Sequence, residues 1–167
     1  DPIARRILII KLAARGAVLR TTPLLRALKR EPPATHVTWV VDEPSVELLR
    51  DNALIDRLLV FRWEDLLPLI VERFDLVLSL DKEPRATALA MRVDALAKHG
   101  FGLGPDGAVR PLSPASRYAF DLGIDDRLKF FENTKSYQEI VFEMAGIPYR
   151  GERYVYEARG EEVRDAA

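Results

Sequence analysis

The chain contains no cysteine, and only two of its 167 residues are histidine. The absence of cysteine excludes disulfide bonds, thiolate metal sites and cysteine nucleophiles. The two histidines, His36 and His99, lie far apart in the sequence, which argues against a zinc centre, and we expect each of them at a surface or strand-edge position. We therefore expect neither a metal site nor a cofactor.

The sequence also lacks an excess of charge and a long apolar run. Its 25 basic and 26 acidic side chains nearly cancel, so no global field attracts nucleic acid, and any anion site has to be local. No apolar run approaches the roughly 18 residues that a bilayer-spanning helix needs, and the N-terminal residues DPIARR lack a signal-peptide core. We expect a cytoplasmic protein that binds no nucleic acid.

Short apolar runs alternate with helical patterns along the chain. The predicted strands are 7–12, 36–41, 55–61 and 75–80. The predicted helices are one with Thr22 as N-cap and Pro23 at its first position, and those at 45–50, 63–73, 85–97 and 133–145. This alternation predicts βαβ units on a parallel sheet, and therefore a doubly wound, Rossmann-like α/β domain.

The second half of the chain departs from this alternation. Residues 98–112 are predicted to form a strand, a turn at 105–107 and a short returning strand. Three glycines there spell G-x-G-x-x-G, but no helix follows them, which argues against a dinucleotide fingerprint. We predict one domain over 1–156, and a charged tail or the start of an interdomain linker over 157–167.

Ligands of doubly wound domains lie at the carboxyl ends of the strands. Two loops are therefore candidates, 13–20 after the first strand and 81–85 (DKEPR) after the fourth. Gly16 permits close approach of a ligand to the backbone, and free amides at the start of the next helix can bind an anionic or hydroxyl-rich group. The other candidate contacts are Lys11, Arg15, Thr21, Thr22, Asp81, Lys82, Arg85 and Gln138.

Ordinary structural roles compete for several of these side chains. Lys11 also fits a salt bridge at the end of a strand, and the two threonines also fit helix capping. The charged residues of 81–85 also fit a solvated loop. Among them, Lys82 and Arg85 are the best candidates to bind a phosphate or carboxylate.

The residues 11–29, K-L-x-x-x-G-x-V-L-x-T-T-P-L-L-R-A-L-K, closely resemble the N-terminal signature of glycosyltransferase family 9, the ADP-heptose:lipopolysaccharide heptosyltransferases. Blocks at 37–43, 74–92, 99–103 and 137–154 resemble that family in the same order. The resemblance thus covers nearly the whole chain.

The resemblance implies a GT-B enzyme, in which two Rossmann-like domains face each other across a cleft. It implies that the N-terminal domain holds the glycan acceptor, such as a lipopolysaccharide core sugar, and that the C-terminal domain holds the ADP-sugar donor. This chain matches only the N-terminal domain, so the donor would be bound only through the missing C-terminal domain. A lipid-linked acceptor would add peripheral association with the inner face of the inner membrane.

The chain departs from the family at one position. In the family, the glycine of the first loop is followed by an aspartate that looks like the general base for the acceptor hydroxyl, whereas Gly16 is followed by Ala17. Loss of a positioned base costs about 10² to 10⁴ in rate, so we expect an inactive domain. Two alternatives stay open: a non-catalytic glycan-binding or scaffold module, and a stand-alone nucleotide-binding α/β domain.

Overall fold

The structure, a computed structural model, describes residues 5–30 and 34–156. Its strands are β1 (Arg5–Ile10), β2 (Thr35–Val41), β3 (Arg57–Val60), β4 (Arg73–Ser79), β5 (Asp94–Leu103) and β6 (Val109–Pro111). Its α-helices are α1 (Arg15–Thr21), α2 (Pro23–Arg30), α3 (Trp63–Val71), α4 (Pro84–Arg92), α5 (Arg117–Asp121) and α6 (Tyr137–Ala145). The predicted tail at 157–167 lies outside the described residues.

The strands form one sheet in the order β3-β2-β1-β4-β5-β6. All neighbouring pairs from β3 to β5 are parallel, and only β6 runs antiparallel to its neighbour. The chain leaves β1 toward β2 on one side of the sheet, and leaves β4 toward β5 on the other. The carboxyl ends of β1 and β4 therefore flank the point where the strand order reverses, which is where doubly wound sheets bind ligands. This order confirms the predicted fold class.

The central strand β1 is apolar on both faces because both faces are covered. Ile7 and Ile9 pack in a core with residues of α1, α2 and α6, and Leu8 and Ile10 pack in a second core with residues of α3 and α4. All four side chains are fully buried. The sheet is thus the middle layer of three, and helix α1 starts beside the carboxyl end of β1.

The helix predicted at 45–50 is a 3₁₀ helix at Glu43–Leu48, and two other predicted helix boundaries differ from the structure by four or five residues. The helix predicted at 85–97 ends at Arg92, and β5 begins at Asp94. Ala95 and Ala97 pair with β4 there, because pairing along a sheet outweighs the helix propensity of alanine. The helix predicted to begin at 133 begins at Tyr137.

The last helix has a complete set of end signals. Ser136 and Glu139 form a capping box at its start, and Gly146 ends it with a φ of 72°. In contrast, the predicted N-cap Thr22 precedes α2 but does not cap it, since its hydroxyl donates to the carbonyl of Leu19 at 2.7 Å.

Both histidines lie in strands of the sheet, and both side chains are half-buried. Within the described residues, each is paired with a neighbouring strand on one side only, His36 with Arg6 of β1 and His99 with Leu78 of β4. The Nδ1 of His99 lies 2.6 Å from the hydroxyl of Ser113, and burial lowers the pKa of His99. Among residues 5–30 and 34–156, no group of His, Asp and Glu side chains is suited to hold a metal ion.

Residues 113–132 received no prediction from the sequence. The structure shows a 3₁₀ turn at Pro114–Ser116, helix α5 and a π-helical turn at Leu128–Glu132. None of the helices in the described part of the chain has both the length and the apolar character that crossing a bilayer requires.

Gly100 allows a close approach between β4 and β5, and its replacement tests the register of these strands. Its φ is 99°, and a Cβ added there would lie 1.8 Å from the carbonyl oxygen of Ser79. We expect Gly100→Ala to lower the free energy of unfolding by more than about 2 kcal/mol, because strained backbone and a steric clash combine. Chemical denaturation measures this loss.

Gly107→Ala is the matched control, because Gly107 also has a positive φ, of 78°, but an added Cβ meets no atom within 4 Å. We expect this variant to lose only about 1 kcal/mol of unfolding free energy, which is the cost of the left-handed backbone conformation alone. Equal losses in the two variants would contradict the close approach of the strands.

Candidate functional site

A cavity of about 570 Å³ opens at the carboxyl ends of β1, β4 and β5. Its floor comes from the residues that follow β1 and β4, and its walls come from α1, α6 and the segment between β6 and α6. The lining residues are Lys11, Ala17, Leu80, Asp81, Lys82, Glu83, Phe101, Ala119, Leu122, Gly123, Lys129, Asn133, Tyr137, Ile140, Val141 and Met144. This cavity lies where the sequence predicted the ligand site.

A buried ion pair between Lys11 and Asp81 lies at the base of the cavity. Lys11 Nζ lies 2.6 Å from Asp81 Oδ1, and the two residues are 5% and 8% exposed. The other carboxylate oxygen accepts a hydrogen bond from the amide of Leu12, and Lys11 Nζ also donates to the carbonyl of Ala13 at 2.5 Å. The alternative role predicted for Lys11, a salt bridge at the end of a strand, is therefore confirmed, and Asp81 is its partner.

Ala17 lies in the first turn of α1 and forms part of the cavity wall. It is half-buried and shares the wall with the Lys11 and Asp81 pair. Gly16, its neighbour, is exposed, and a Cβ added there would meet no atom within 4 Å. Local packing therefore does not require glycine at position 16, and the space beside it is open to a ligand.

Arg85 does not reach the cavity as a free cation. Its guanidinium donates to both carboxylate oxygens of Asp42, at 2.8 and 2.5 Å, and its Nε donates to Glu83 at 2.8 Å. These hydrogen bonds raise the pKa of Arg85, and the guanidinium also stacks over the ring of Phe61. An incoming phosphate would have to displace two carboxylates, so the structure argues against the predicted anion-binding role of Arg85.

Arg15 and Thr22 also lie away from the cavity lining. Arg15 is exposed, and its guanidinium donates to the carbonyl of Pro44. Thr22 is fully buried, and its hydroxyl accepts a hydrogen bond from the amide of Val155 at 3.0 Å while donating to Leu19. Thr22 thus ties the helix junction to the last described residues of the chain.

Gln138 lies away from the cavity, whereas Thr21 lies directly behind its wall. Gln138 donates through Nε2 to the hydroxyl of Tyr154 at 2.8 Å, on a separate surface recess. Thr21 is buried behind the cavity wall, where its hydroxyl donates to the carbonyl of Ala17 at 2.8 Å and lies 3.2 Å from the hydroxyl of Tyr137. Thr21 therefore positions lining residues and does not itself line the cavity.

Lys82 lines the cavity, and its role in binding an anion stays a prediction. Its Nζ lies 4.9 Å from the centre of the Phe101 ring and 3.5 Å from the carbonyl oxygen of Ala119. Burial lowers the pKa of Lys82, and the positive charge of Lys129 lowers it further.

Lys129 is the lining cation that sequence reasoning missed. It lies in the π-helical turn Leu128–Glu132, far along the chain from both predicted loops. The segment around it shows neither a sustained helical pattern nor a strand pattern, so only the folded structure reveals that it lines the same cavity as the residues after β4.

The sequence matches no protein-family model and no curated protein. The structure, however, resembles a glycosyl transferase family 9 structure from Veillonella parvula, with a TM-score of 0.65 and 19% identity, over 99% of this chain and 49% of that one. It also resembles the Escherichia coli heptosyltransferase WaaC with ADP, with a TM-score of 0.59 and 19% identity, over 89% of this chain and 50% of that one.

The chain has the fold of glycosyltransferase family 9 structures. A third match, WaaC with ADP-2-deoxy-2-fluoro heptose, has a TM-score of 0.57 and 18% identity, over 89% of this chain and 51% of that one. The chain thus spans about half the length of each of these three solved structures. Because the identities are low, these matches establish the fold, and the roles of the individual residues rest on the geometry of the cavity.

The buried pair at the base of the cavity can be tested by a double-mutant cycle. Lys11→Met leaves the Asp81 carboxylate buried without a cation, and we expect it to cost about 3 kcal/mol of unfolding free energy. The double variant Lys11→Met with Asp81→Leu should cost less than the sum of the two single variants by at least about 1 kcal/mol, because it removes both charges. Urea denaturation measures all four free energies.

The control cycle uses Arg73 and Asp94, which pair at 3.1 Å with side chains that are 74% and 61% exposed. Its coupling should stay below about 1 kcal/mol. A coupling for Lys11 and Asp81 no larger than this would show that the buried pair does not hold the strand ends together.

Proposed function

We propose that this chain is the acceptor-binding domain of an inverting, heptosyltransferase-like glycosyltransferase that acts in lipopolysaccharide core or related glycan synthesis, and that it is inactive by itself. The observation that carries the proposal is the position of Ala17 in the wall of the cavity at the strand ends, in a chain with the fold of family 9. This is where a base would meet an acceptor hydroxyl.

The carboxylates around the cavity do not replace the missing base. Asp81 has both oxygens engaged, one by Lys11 and the other by the amide of Leu12. Glu83 is ion-paired with Arg85. Both carboxylates are thus engaged in ion pairs, which supports an acceptor site without a free carboxylate to take up a proton.

The donor belongs to the part of the enzyme that the chain does not match. The WaaC structures hold ADP or a fluorinated ADP-heptose and are about twice the length that this chain covers. In the proposal, an ADP-sugar is bound only when a C-terminal domain is present. A lipid-linked acceptor would bring the domain to the inner face of the inner membrane.

A second candidate function is a non-catalytic glycan-binding module. The same residue, Ala17, favours it, because alanine keeps the shape of the wall and removes the proton acceptor. The two candidates share the acceptor site and differ in whether a donor-binding domain accompanies it in the working protein.

Calorimetric titration of this chain with a phosphorylated core oligosaccharide and with ADP-heptose tests the proposed acceptor role. We expect weak binding of the oligosaccharide and almost none of ADP-heptose, because the cavity belongs to the acceptor side. With both compounds present, we expect no transferred product, because position 17 is alanine and these residues match only about half of each solved structure. Tighter binding of ADP-heptose than of the oligosaccharide, or product formation, would contradict the proposal.

Filling the cavity provides the site-specific arm of this experiment. Ala17→Phe places a ring in the wall of the cavity, and we expect it to weaken oligosaccharide binding by about tenfold or more, equivalent to about 1.4 kcal/mol. Ala108→Phe, in the exposed turn between β5 and β6, is the control and should bind like the unchanged chain. Equal affinities in both variants would place the binding site elsewhere.

A further inference from the structure

The cavity contains two cations that the protein itself does not neutralise. Lys11 is paired with Asp81, and Glu83 is paired with Arg85. Among the residues that the structure describes, neither Lys82 nor Lys129 has a carboxylate within ion-pair distance. The charged residues of the lining sum to one positive charge, and Lys82 and Lys129 are the two lysines among them without an ion pair.

These two lysines approach the cavity from different parts of the chain. Lys82 follows the end of β4, and Lys129 lies in the π-helical turn between α5 and α6. Both side chains line the same cavity, and the charge of Lys129 lowers the pKa of Lys82. Folding thus places two like charges in one cavity, where an anion would be attracted to both.

The ammonium group of Lys82 has unused hydrogen-bonding capacity. An ammonium carries three donors, and the contact at 3.5 Å to the carbonyl of Ala119 is at the outer limit for a hydrogen bond. The ring of Phe101 supports the ammonium from one side. On another side, a Cβ at Gly123 would lie 2.1 Å from Lys82 Nζ, so the missing side chain there leaves the room that the ammonium occupies.

We propose that Lys82 and Lys129 form the binding site for a phosphate monoester carried by the acceptor sugar, which makes them the residues that select a phosphorylated acceptor. Two ammonium groups match the charge of a phosphate dianion, and charge-assisted hydrogen bonds are the strong kind. The rest of the lining is largely apolar, which suits the carbon-bound faces of the sugar to which the phosphate is attached. This inference rests on the proposed acceptor function and specifies its ligand.

Nuclear magnetic resonance titration of the chain at low salt tests the site, with glucose 6-phosphate, glucose and ADP as probes. We expect glucose 6-phosphate to bind more tightly than glucose, and to bind more weakly as salt is added. Lys82→Gln and Lys129→Gln should each weaken glucose 6-phosphate binding about tenfold, since each removes one charged hydrogen-bond donor. Neither change should affect the binding of glucose.

Lys98→Gln is the matched control for the loss of one positive charge. Lys98 lies in β5, outside the cavity lining, and its Nζ lies 3.4 Å from the carbonyl oxygen of Met91. The Lys98→Gln variant should bind glucose 6-phosphate as the unchanged chain does. Lys129→Arg keeps the charge and should stay within about threefold of the unchanged chain. Circular dichroism melting curves identify any variant that fails to fold.

The outcomes separate this inference from the proposed function. Equal binding of glucose and glucose 6-phosphate, unchanged affinity in both glutamine variants, or tighter binding of ADP than of glucose 6-phosphate overturns the phosphate site. If a core oligosaccharide binds independently of both lysines, the acceptor role stands and the lysine pair does not. If glucose 6-phosphate binding depends on both lysines but no oligosaccharide binds, the lysine pair stands and the acceptor role does not.

Discussion

The ion pair between Lys11 and Asp81 holds together the two strand ends on which the whole site is built. It joins the residue after β1 to a residue after β4, across the point where the strand order reverses. The indole of Trp39 in β2 donates to the carbonyl of Lys11 at 3.0 Å and adds a third strand to the network. Because both charges are buried, the loss of either partner would leave an uncompensated charge in the interior. The pair therefore fixes the directions of the two following loops relative to each other. Ala17 lies in the helix that follows the first loop, and Lys82 lies in the second loop, directly after Asp81.

Local patterns were sufficient to predict the layers of the fold. The run of isoleucine and leucine in β1 indicates a strand covered on both faces, and Gly146 with Pro148 indicates the end of α6. These patterns failed where the secondary structure of a residue depends on a partner that is distant in the sequence. Ala95 and Ala97 have good helix propensity, but pairing with β4 makes them part of a strand.

The candidate site was harder to predict, for the same physical reason. Lys11 and Asp81 are 70 positions apart, so the sequence offers both residues but not their pairing. Arg85 looks like a free cation in a loop, and only the sheet order reveals that the end of β2 brings Asp42 to it. Lys129 is the opposite case, since nothing in its segment indicates a site, and it reaches the cavity through tertiary packing alone.

The two outer strands of the sheet have a consequence for the behaviour of the protein at high concentration. A parallel sheet ends in open backbone donors and acceptors, to which a strand of another molecule can add. Here the outer strands are only four and three residues long, β3 and β6. Pro111, the last residue of β6, has no amide hydrogen to offer, and Arg110 beside it is exposed and charged. Short edge strands of this kind disfavour strand-to-strand aggregation, although the central strands of the sheet are strongly apolar.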